Sequence, residues 1–263
     1  MAELVFVGLG LGPGSLPHGA LDAIKACDMI FLERYTAPVP DDEISRLSKL
    51  TGRAIEELDR TAVEKGDAII DVAKKGRAAL LVPGDPMAAT THLSLRMRAA
   101  AESISVRIIH ASSVFSAIPG ILGLQHYKFG RTITVPFHRE GFAPTSPYES
   151  LVKNTEAGQH TLALLDIDAE KGRYMTSREG IEALMTMEKK VGGDLLARGA
   201  LCCIVARAGH GDCAIRAGPV QEMLRFDAGE PPHSLVFPAA LHFLEAEALV
   251  AFAGAPKEIL KGK

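Results

Sequence analysis

Residues Ala78–His92 read AALLVPGDPMAATTH, and the fold class follows from this stretch. Its first five residues form an unbroken apolar run of the kind found in a parallel strand buried on both faces. Pro83, Gly84, Asp85 and Pro86 stop the run, because proline removes ladder donors and glycine permits a tight reversal. Thr90 and Thr91 are N-cap candidates for a helix carrying Leu93, Leu95, Met97 and Ala100. A strand, a tight loop and a helix start mark the place where open α/β sheets hold ligands. Asp85 has two readings: an acceptor for a ligand hydroxyl or ammonium, or an acceptor for the turn's own backbone. Spacing alone does not choose between them.

Outward from this stretch, strands and helices alternate. Glu3–Gly8 reads as a strand, followed by the loop GLGLGPG. Leu21, Ile24 and Cys27 give Leu16–Cys27 a helical period, and Asp28–Glu33 is a second strand. The dinucleotide fingerprint G-x-G-x-x-G fails, since Pro13 or Ser15 stands where the third glycine belongs. Glu33 lies near the distance of a ribose-binding acid, but a lone carboxylate after a strand reads as a solvated strand end. An NAD-type site is therefore disfavoured. Helices are expected at Asp41–Leu50 and Val63–Lys75, and a strand at Ser105–His110, with Ser112 or Ser113 capping the helix that follows. This order predicts a mostly parallel sheet covered by helices.

Pro119, Gly120 and Gly123 interrupt the alternation, which puts a domain boundary within residues 111–128 and predicts domains at 1–115 and 116–263. In the second half, strands are expected at Arg131–Val135, Thr161–Ile167, Ala200–Ala206, Cys213–Ala217 and Ser234–Phe237. Helices are expected at Tyr148–Ala157, Ser177–Val191, Val220–Phe226 and Leu241–Ala253, with the last residues trailing off. Gly209–Gly211 before the Cys213 strand suits a hairpin, so this sheet is predicted to be mixed.

At 263 residues and 47% hydrophobic content, the chain can bury a sizeable core in one large or two modest domains. A net charge of −3 gives no basic footprint for nucleic acid, and 5% aromatics without Trp give no stacking platform for single strands. No apolar run approaches the ~18 residues of a membrane span, and MAELVFVGLG lacks the basic leader of a signal peptide. Cys27, Cys202, Cys203 and Cys213 form no C-x-x-C pair and no zinc spacing, which predicts free thiols in a reducing cytoplasm and no metal.

Among nine histidines, His92, His110 and His160 abut strand ends or helix starts, where imidazole commonly satisfies a backbone group. His18, His126, His138, His210 and His242 carry no spacing signal. His233 follows Pro231 and Pro232 into a strand, as a locally bonded strand-entry residue would. Asp166 and Asp168 share one face of a strand end and are assigned no acid/base role.

GDP followed by ATTH resembles the diphthine synthase branch of the tetrapyrrole methylase-like S-adenosylmethionine-dependent methyltransferases. In family order so do FVGLGLGPG (Phe6–Gly14), HASSVFSA (His110–Ala117), YKFGRT (Tyr127–Thr132), HTLALLDI (His160–Ile167), ARAG (Ala206–Gly209) and PPH (Pro231–His233). The resemblance spans nearly the whole chain. It implies two α/β domains with S-adenosylmethionine folded in a cleft between them, and S-adenosylhomocysteine as product. By motif, the contacts would be Leu11, Asp85, Ala88, Ser113, Val114, Leu165, Ala208 and His233. It implies stepwise methylation of the amino group of 3-amino-3-carboxypropyl-histidine on elongation factor 2, ending at trimethylammonium as in the archaeal type. It also implies a homodimer. No catalytic residue is assigned. Arg131, Arg173, Arg178 and Arg207 are candidates for docking the protein substrate or holding its carboxylate, against a solvated fate for most. Two other readings remain: methylation of a corrin or porphyrin ring, which YKFG and the GAPKEIL ending disfavour, and a non-catalytic binder of a nucleotide-like ligand that regulates a partner.

Overall fold

The apolar runs of the first half form a parallel sheet whose strands point alternate residues into two separate cores. The computed structural model describes residues 1–139, 141, 143–168 and 171–261. Strands β1 (Glu3–Gly8), β2 (Met29–Glu33), β3 (Ile55–Leu58), β4 (Arg77–Val82) and β5 (Ser105–Ile109) assemble in the order β3-β2-β4-β1-β5, with all four neighbouring pairs parallel. Leu4, Phe6, Phe31, Leu80 and Val82 face one way, onto helices α3 (Arg60–Lys65), α4 (Asp67–Lys75) and α5 (His92–Ala101) through Val63, Ile69, Ile70, Leu95 and Ala99. Val5, Val7, Ile30, Leu32 and Leu81 face the other way, onto α1 (Ala20–Lys25) and α2 (Asp41–Thr51) through Ala20, Ile24 and Leu47. Each of the Val, Leu, Ile and Phe side chains contributes about 1.5–3 kcal/mol on full burial. This is why continuous apolar runs, rather than alternation, mark the central strands.

The first half departs from expectation in five places. Helix α1 starts at Ala20 rather than Leu16, because Pro17 and a left-handed Gly19 (φ 80°) precede it. The helix expected over Val63–Lys75 is two helices broken at Gly66 (φ 70°), where an added Cβ would meet Leu95 Cδ1 at 2.5 Å. Edge strand β3, with Glu56 and Glu57 exposed, was not expected from its polar sequence. Helix α5 buries His92, Leu95 and Ala99, while Leu93 and Met97 are exposed. Its first turn is supported by Thr90, whose Oγ1 accepts from His92 N–H, and the N-cap residue Thr91 makes no side-chain cap bond. Finally, Pro119 and Gly120 do not interrupt a helix: α6 (Val114–Leu122) runs through both and ends at Gly123 (φ 71°).

Packing divides the chain into two units, Met1–Val114 and Phe115–Lys263. The second has a five-stranded sheet formed by β6 (Ile133–Val135), β7 (Thr161–Leu165), β10 (Leu201–Ala206), β11 (Ala214–Pro219) and β12 (His233–Phe237), in the order β11-β10-β12-β7-β6. Only β6–β7 is parallel among these pairs, and β10–β11 is the expected hairpin, so the sheet is mixed. Helices α7 (Ser146–Glu156) and α8 (Ser177–Val191) supply Leu151, Ile181 and Leu184 to a core shared with Val135, Ala163, Cys202, Ile204 and Leu235. Helix α8 has the expected bounds, set by a Thr176–Glu179 capping box and a left-handed Gly192. Helices α9 (Val220–Met223) and α10 (Phe243–Ala253) are shorter than expected, and α10 is capped by His242.

The strand expected through Ile167 breaks at Asp166. That carboxylate accepts from Ile167 N–H and Phe137 N–H, each at 2.9 Å, and the residue links β7 to the short ribbon β8 (Ile167–Asp168) and β9 (Arg173–Tyr174). Asp166 and Asp168 therefore do not share a strand face, and Asp168 instead pairs with Lys171. The last expected residues, 262–263, lie outside the described residues. Cys27, Cys202 and Cys203 are buried, Cys213 is half-buried, and all four are free. Among the described residues, no helix is long and apolar enough to cross a membrane, and no cluster of three or more His, Cys, Asp or Glu could hold a metal.

Candidate functional site

Three loops meet at the carboxyl ends of β1, β4 and β5. Gly10 and Gly84 exchange backbone hydrogen bonds, Gly10 N–H to Gly84 O at 3.2 Å and Gly84 N–H to Gly10 O at 2.9 Å. Both have positive φ, 76° and 72°, a region that favours glycine. A Cβ on Gly8 would lie 2.7 Å from Ala111 Cβ and from Gly84 O, and 2.9 Å from Pro86 Cδ. At Gly8 the glycine therefore serves close approach of all three loops. Around Gly84 a Cβ would meet nothing within 4 Å, so the backbone there borders open space.

Asp85 joins two of these loops. Its Oδ1 accepts from Met87 N–H at 2.9 Å, and its Oδ2 accepts from Ala111 N–H at 3.1 Å and from His110 Nδ1 at 2.8 Å. The carboxylate thus satisfies backbone of its own turn and of the loop after β5. His110 meets a carboxylate, not the backbone group expected of it. Leu11, Ala88 and Ser113 lie on the same three loops and Val114 starts α6, and all four are half-buried.

Beneath the GDPMA loop, His92 is buried. Its Nδ1 donates to Pro86 O at 3.0 Å, which leaves Nε2 as the acceptor facing the Tyr35 hydroxyl at 3.3 Å. Burial lowers the His92 pKa, which favours this neutral tautomer. Glu33 is not a solvated strand end. It is fully buried, and its carboxylate accepts from Tyr35 N–H, Thr36 N–H and the Thr36 hydroxyl. Burial pushes its pKa up to about 7, against those hydrogen bonds.

The second unit gathers the other three motif residues at one end of its sheet. His233 pairs with Ala206 across β12–β10, and the next residue, Ser234, pairs with Leu164 of β7. Leu165 is the last residue of β7 and packs on Gly180, where a Cβ would lie 2.6 Å from Leu165 Cδ2. Ala208 is half-buried just past β10. His233 follows a cis Pro231–Pro232 bond, its Nδ1 accepts from Ser177 N–H at 3.0 Å, and its Nε2 donates to Glu230 O at 3.2 Å. Burial lowers its pKa. The locally bonded reading of His233 thus describes both ring nitrogens.

Arg207 is a structural clip and not a free docking group. It reaches Asp212, the Ala228 carbonyl and the Glu230 carbonyl, and its own backbone has φ 50°. Arg173 stacks over Phe137 at 4.3 Å and pairs with Glu179, and Arg178 pairs with Glu182. Arg131 is exposed.

YKFG and HTLALLDI are joined as well. Gly130 N–H donates to His160 O, and His160 N–H to Lys128 O, both at 2.9 Å. His160 is buried between Ala239 N–H and Glu245, and Lys128 meets the same carboxylate at 2.5 Å. Burial works to raise the Glu245 pKa, but the hydrogen bonds from Lys128, Gln125, His242 and His160 outweigh it and bring it down to about 2. His242, without a signal in sequence, caps α10 next to Glu245.

Residues 3–223 match the family of tetrapyrrole (corrin/porphyrin) methylases. The chain is 41% identical over 259 residues to a diphthine synthase of Methanothermobacter thermautotrophicus, covering 98% of each protein. It is 40% identical to one of Methanosarcina barkeri, again covering 98% of each. A crystal structure of diphthine synthase superposes with a TM-score of 0.89 at 32% identity, covering 98% of this chain and 99% of that one. The chain belongs to the tetrapyrrole methylase family, on its diphthine synthase branch.

Proposed function

We propose that this chain is an S-adenosylmethionine-dependent methyltransferase of diphthamide biosynthesis. Its substrate is the amino group of 3-amino-3-carboxypropyl-histidine on elongation factor 2, which it methylates stepwise to trimethylammonium. The observation that carries this reading is similarity to diphthine synthases along 98% of the chain. The same reading makes the chain a cytoplasmic homodimer, with domains at 1–115 and 116–263.

The residues at the loop cluster fit the cofactor. An adenine needs apolar walls and close backbone approach, and Leu11, Ala88 and Val114 in the first unit are small or apolar and half-buried, as are Leu165 and Ala208 in the second. The open space beside Gly84 gives backbone access without a side chain in the way. We assign the cofactor contacts to these residues with Asp85, Ser113 and His233. When bound, S-adenosylmethionine supplies a methyl group on a sulfonium, which is already a good leaving group. The protein's part is to align the amine with that methyl, and alignment of this kind lowers a barrier by about 7–11 kcal/mol. The polar bonds of Asp85 and His233 point to a positioning role: each holds a loop in place through backbone groups.

Methyl-labelled S-adenosylmethionine, offered with elongation factor 2 carrying the unmethylated intermediate and separately with corrin and porphyrin rings, tests the reading. Label on the modified histidine is the expected result. Label on a ring, with the histidine untouched, overturns it.

A further inference from the structure

An amine reacts with a methyl group only through its lone pair, and a protonated amine has none. Something must take the proton, and methylation repeats the requirement at each step. Imidazole is the side chain whose charge changes near neutral pH. His92 and His233 have both ring nitrogens engaged inside the protein. His110 does not.

His110 directly follows β5, three residues before Ser113, and its side chain is 66% exposed. Its Nδ1 lies 2.8 Å from Asp85 Oδ2. An ionised carboxylate only accepts, so in the neutral imidazole the proton sits on Nδ1 and the lone pair on Nε2. Among the described residues, Nε2 has no hydrogen-bond partner. Asp85 is itself held by Met87 N–H and Ala111 N–H. Met87 N–H lies in the same turn, and Ala111 N–H already ties that turn to the loop after β5, so the histidine is not needed for that task. The arrangement orients an exposed imidazole by means of an immobile carboxylate, as a general base requires.

We propose that His110 Nε2 is the general base that deprotonates the substrate ammonium, with Asp85 as its positioning residue. The proposal rests on the methyltransferase reading above and adds the group that makes the amine reactive. The ammonium N–H bond breaks, its electron pair stays on nitrogen, and the proton moves to Nε2. The nitrogen lone pair then forms a bond to the methyl carbon as the carbon–sulfur bond breaks, with that pair going to sulfur. The imidazolium releases its proton to solvent before the next cycle. Three cycles remove three protons and add three methyl groups, after which nitrogen has no proton left to give.

The test compares the wild-type chain with His110→Gln and His110→Ala. Three quantities are measured: S-adenosylmethionine affinity by calorimetry, single-turnover methylation of elongation factor 2 by intact mass, and the response of that rate to added imidazole. The expected result is affinity within about twofold of wild type, a rate lower by about 10²–10⁴-fold, and partial recovery of the Ala variant with imidazole. Nitrogen-15 spectra of the wild type should show the His110 proton on Nδ1. A variant as fast as wild type overturns the proposal. So does a slow variant with equally weakened cofactor binding and no imidazole response, or a resting Nε2–H tautomer. If the wild type itself leaves elongation factor 2 unmethylated, the methyltransferase reading fails first and takes the general base with it.

Discussion

Replacing Glu33 with Gln should change the pH dependence of stability, in a direction and size that the structure sets. Glu33 is fully buried and its pKa rises from 4.5 to about 7 in the folded chain. Between these values the unfolded chain has released a proton that the folded chain keeps, so raising the pH favours unfolding. The favourable contribution is complete below pH 4.5 and is lost as pH rises through about 7. A gap of roughly 2.5 units at 1.36 kcal/mol each comes to about 3 kcal/mol. Gln keeps one oxygen to accept from Tyr35 or Thr36 but cannot ionise, so it removes the pH term whatever its own cost. Urea denaturation of both proteins at pH steps from 4.5 to 8 gives the stability difference between them at each pH. The wild type should lose about 3 kcal/mol relative to Glu33→Gln across that range, mostly between pH 5 and 7. A difference that does not change with pH would refute the assignment of a buried, raised carboxyl at Glu33.

Three other outcomes follow from the loop cluster. Asp85→Asn weakens hydrogen bonds to a charged acceptor that Met87, Ala111 and His110 share, so equilibrium unfolding should show a loss of roughly 1.5–3 kcal/mol. Gly8→Ala forces a Cβ to within 2.7 Å of Ala111 Cβ and Gly84 O. Its overpacking cost should be about 1–3 kcal/mol, with weaker cofactor binding in the same preparation because the three loops must part. Calorimetry with S-adenosylmethionine in the presence of a chelator should give close to one site per chain, and strict dependence on an added metal would contradict the contacts assigned here.

The central strands were legible because burial on both faces leaves an unmistakable apolar run, as in AALLV. Helix α8 was legible because Thr176, Glu179 and Gly192 mark its ends locally. What the sequence hid depended on contacts between distant residues. Gly66 breaks a helix where Leu95, far along the chain, packs against it. The polar strand β3 exists because β2 offers it an edge: Ile30–Glu33 pair with Ile55–Leu58. Pro119 gave a false stop, since its missing N–H did not prevent α6 from continuing. In the site, the glycine and GDP loops could be found by motif, whereas the partners of Asp85 could not. Whether its carboxylate serves a ligand or the backbone depends on Ala111 and His110, which arrive from another strand. Glu33 was misread for a similar reason, because a strand-end carboxylate is solvated only if the following turn leaves it so, and Tyr35 and Thr36 fold over it.

The proposed activity is a stepwise transfer of methyl groups to one amine on elongation factor 2. Intact-mass spectrometry of that protein, carrying the unmethylated intermediate and sampled against time at several pH values, tests it most directly. Successive single-methyl increments that stop at three are expected, at a rate that rises with pH while the substrate amine is still protonated and then levels off. Methyl transfer to a tetrapyrrole with the modified histidine unchanged, or increments on elongation factor 2 at some other residue, would contradict it.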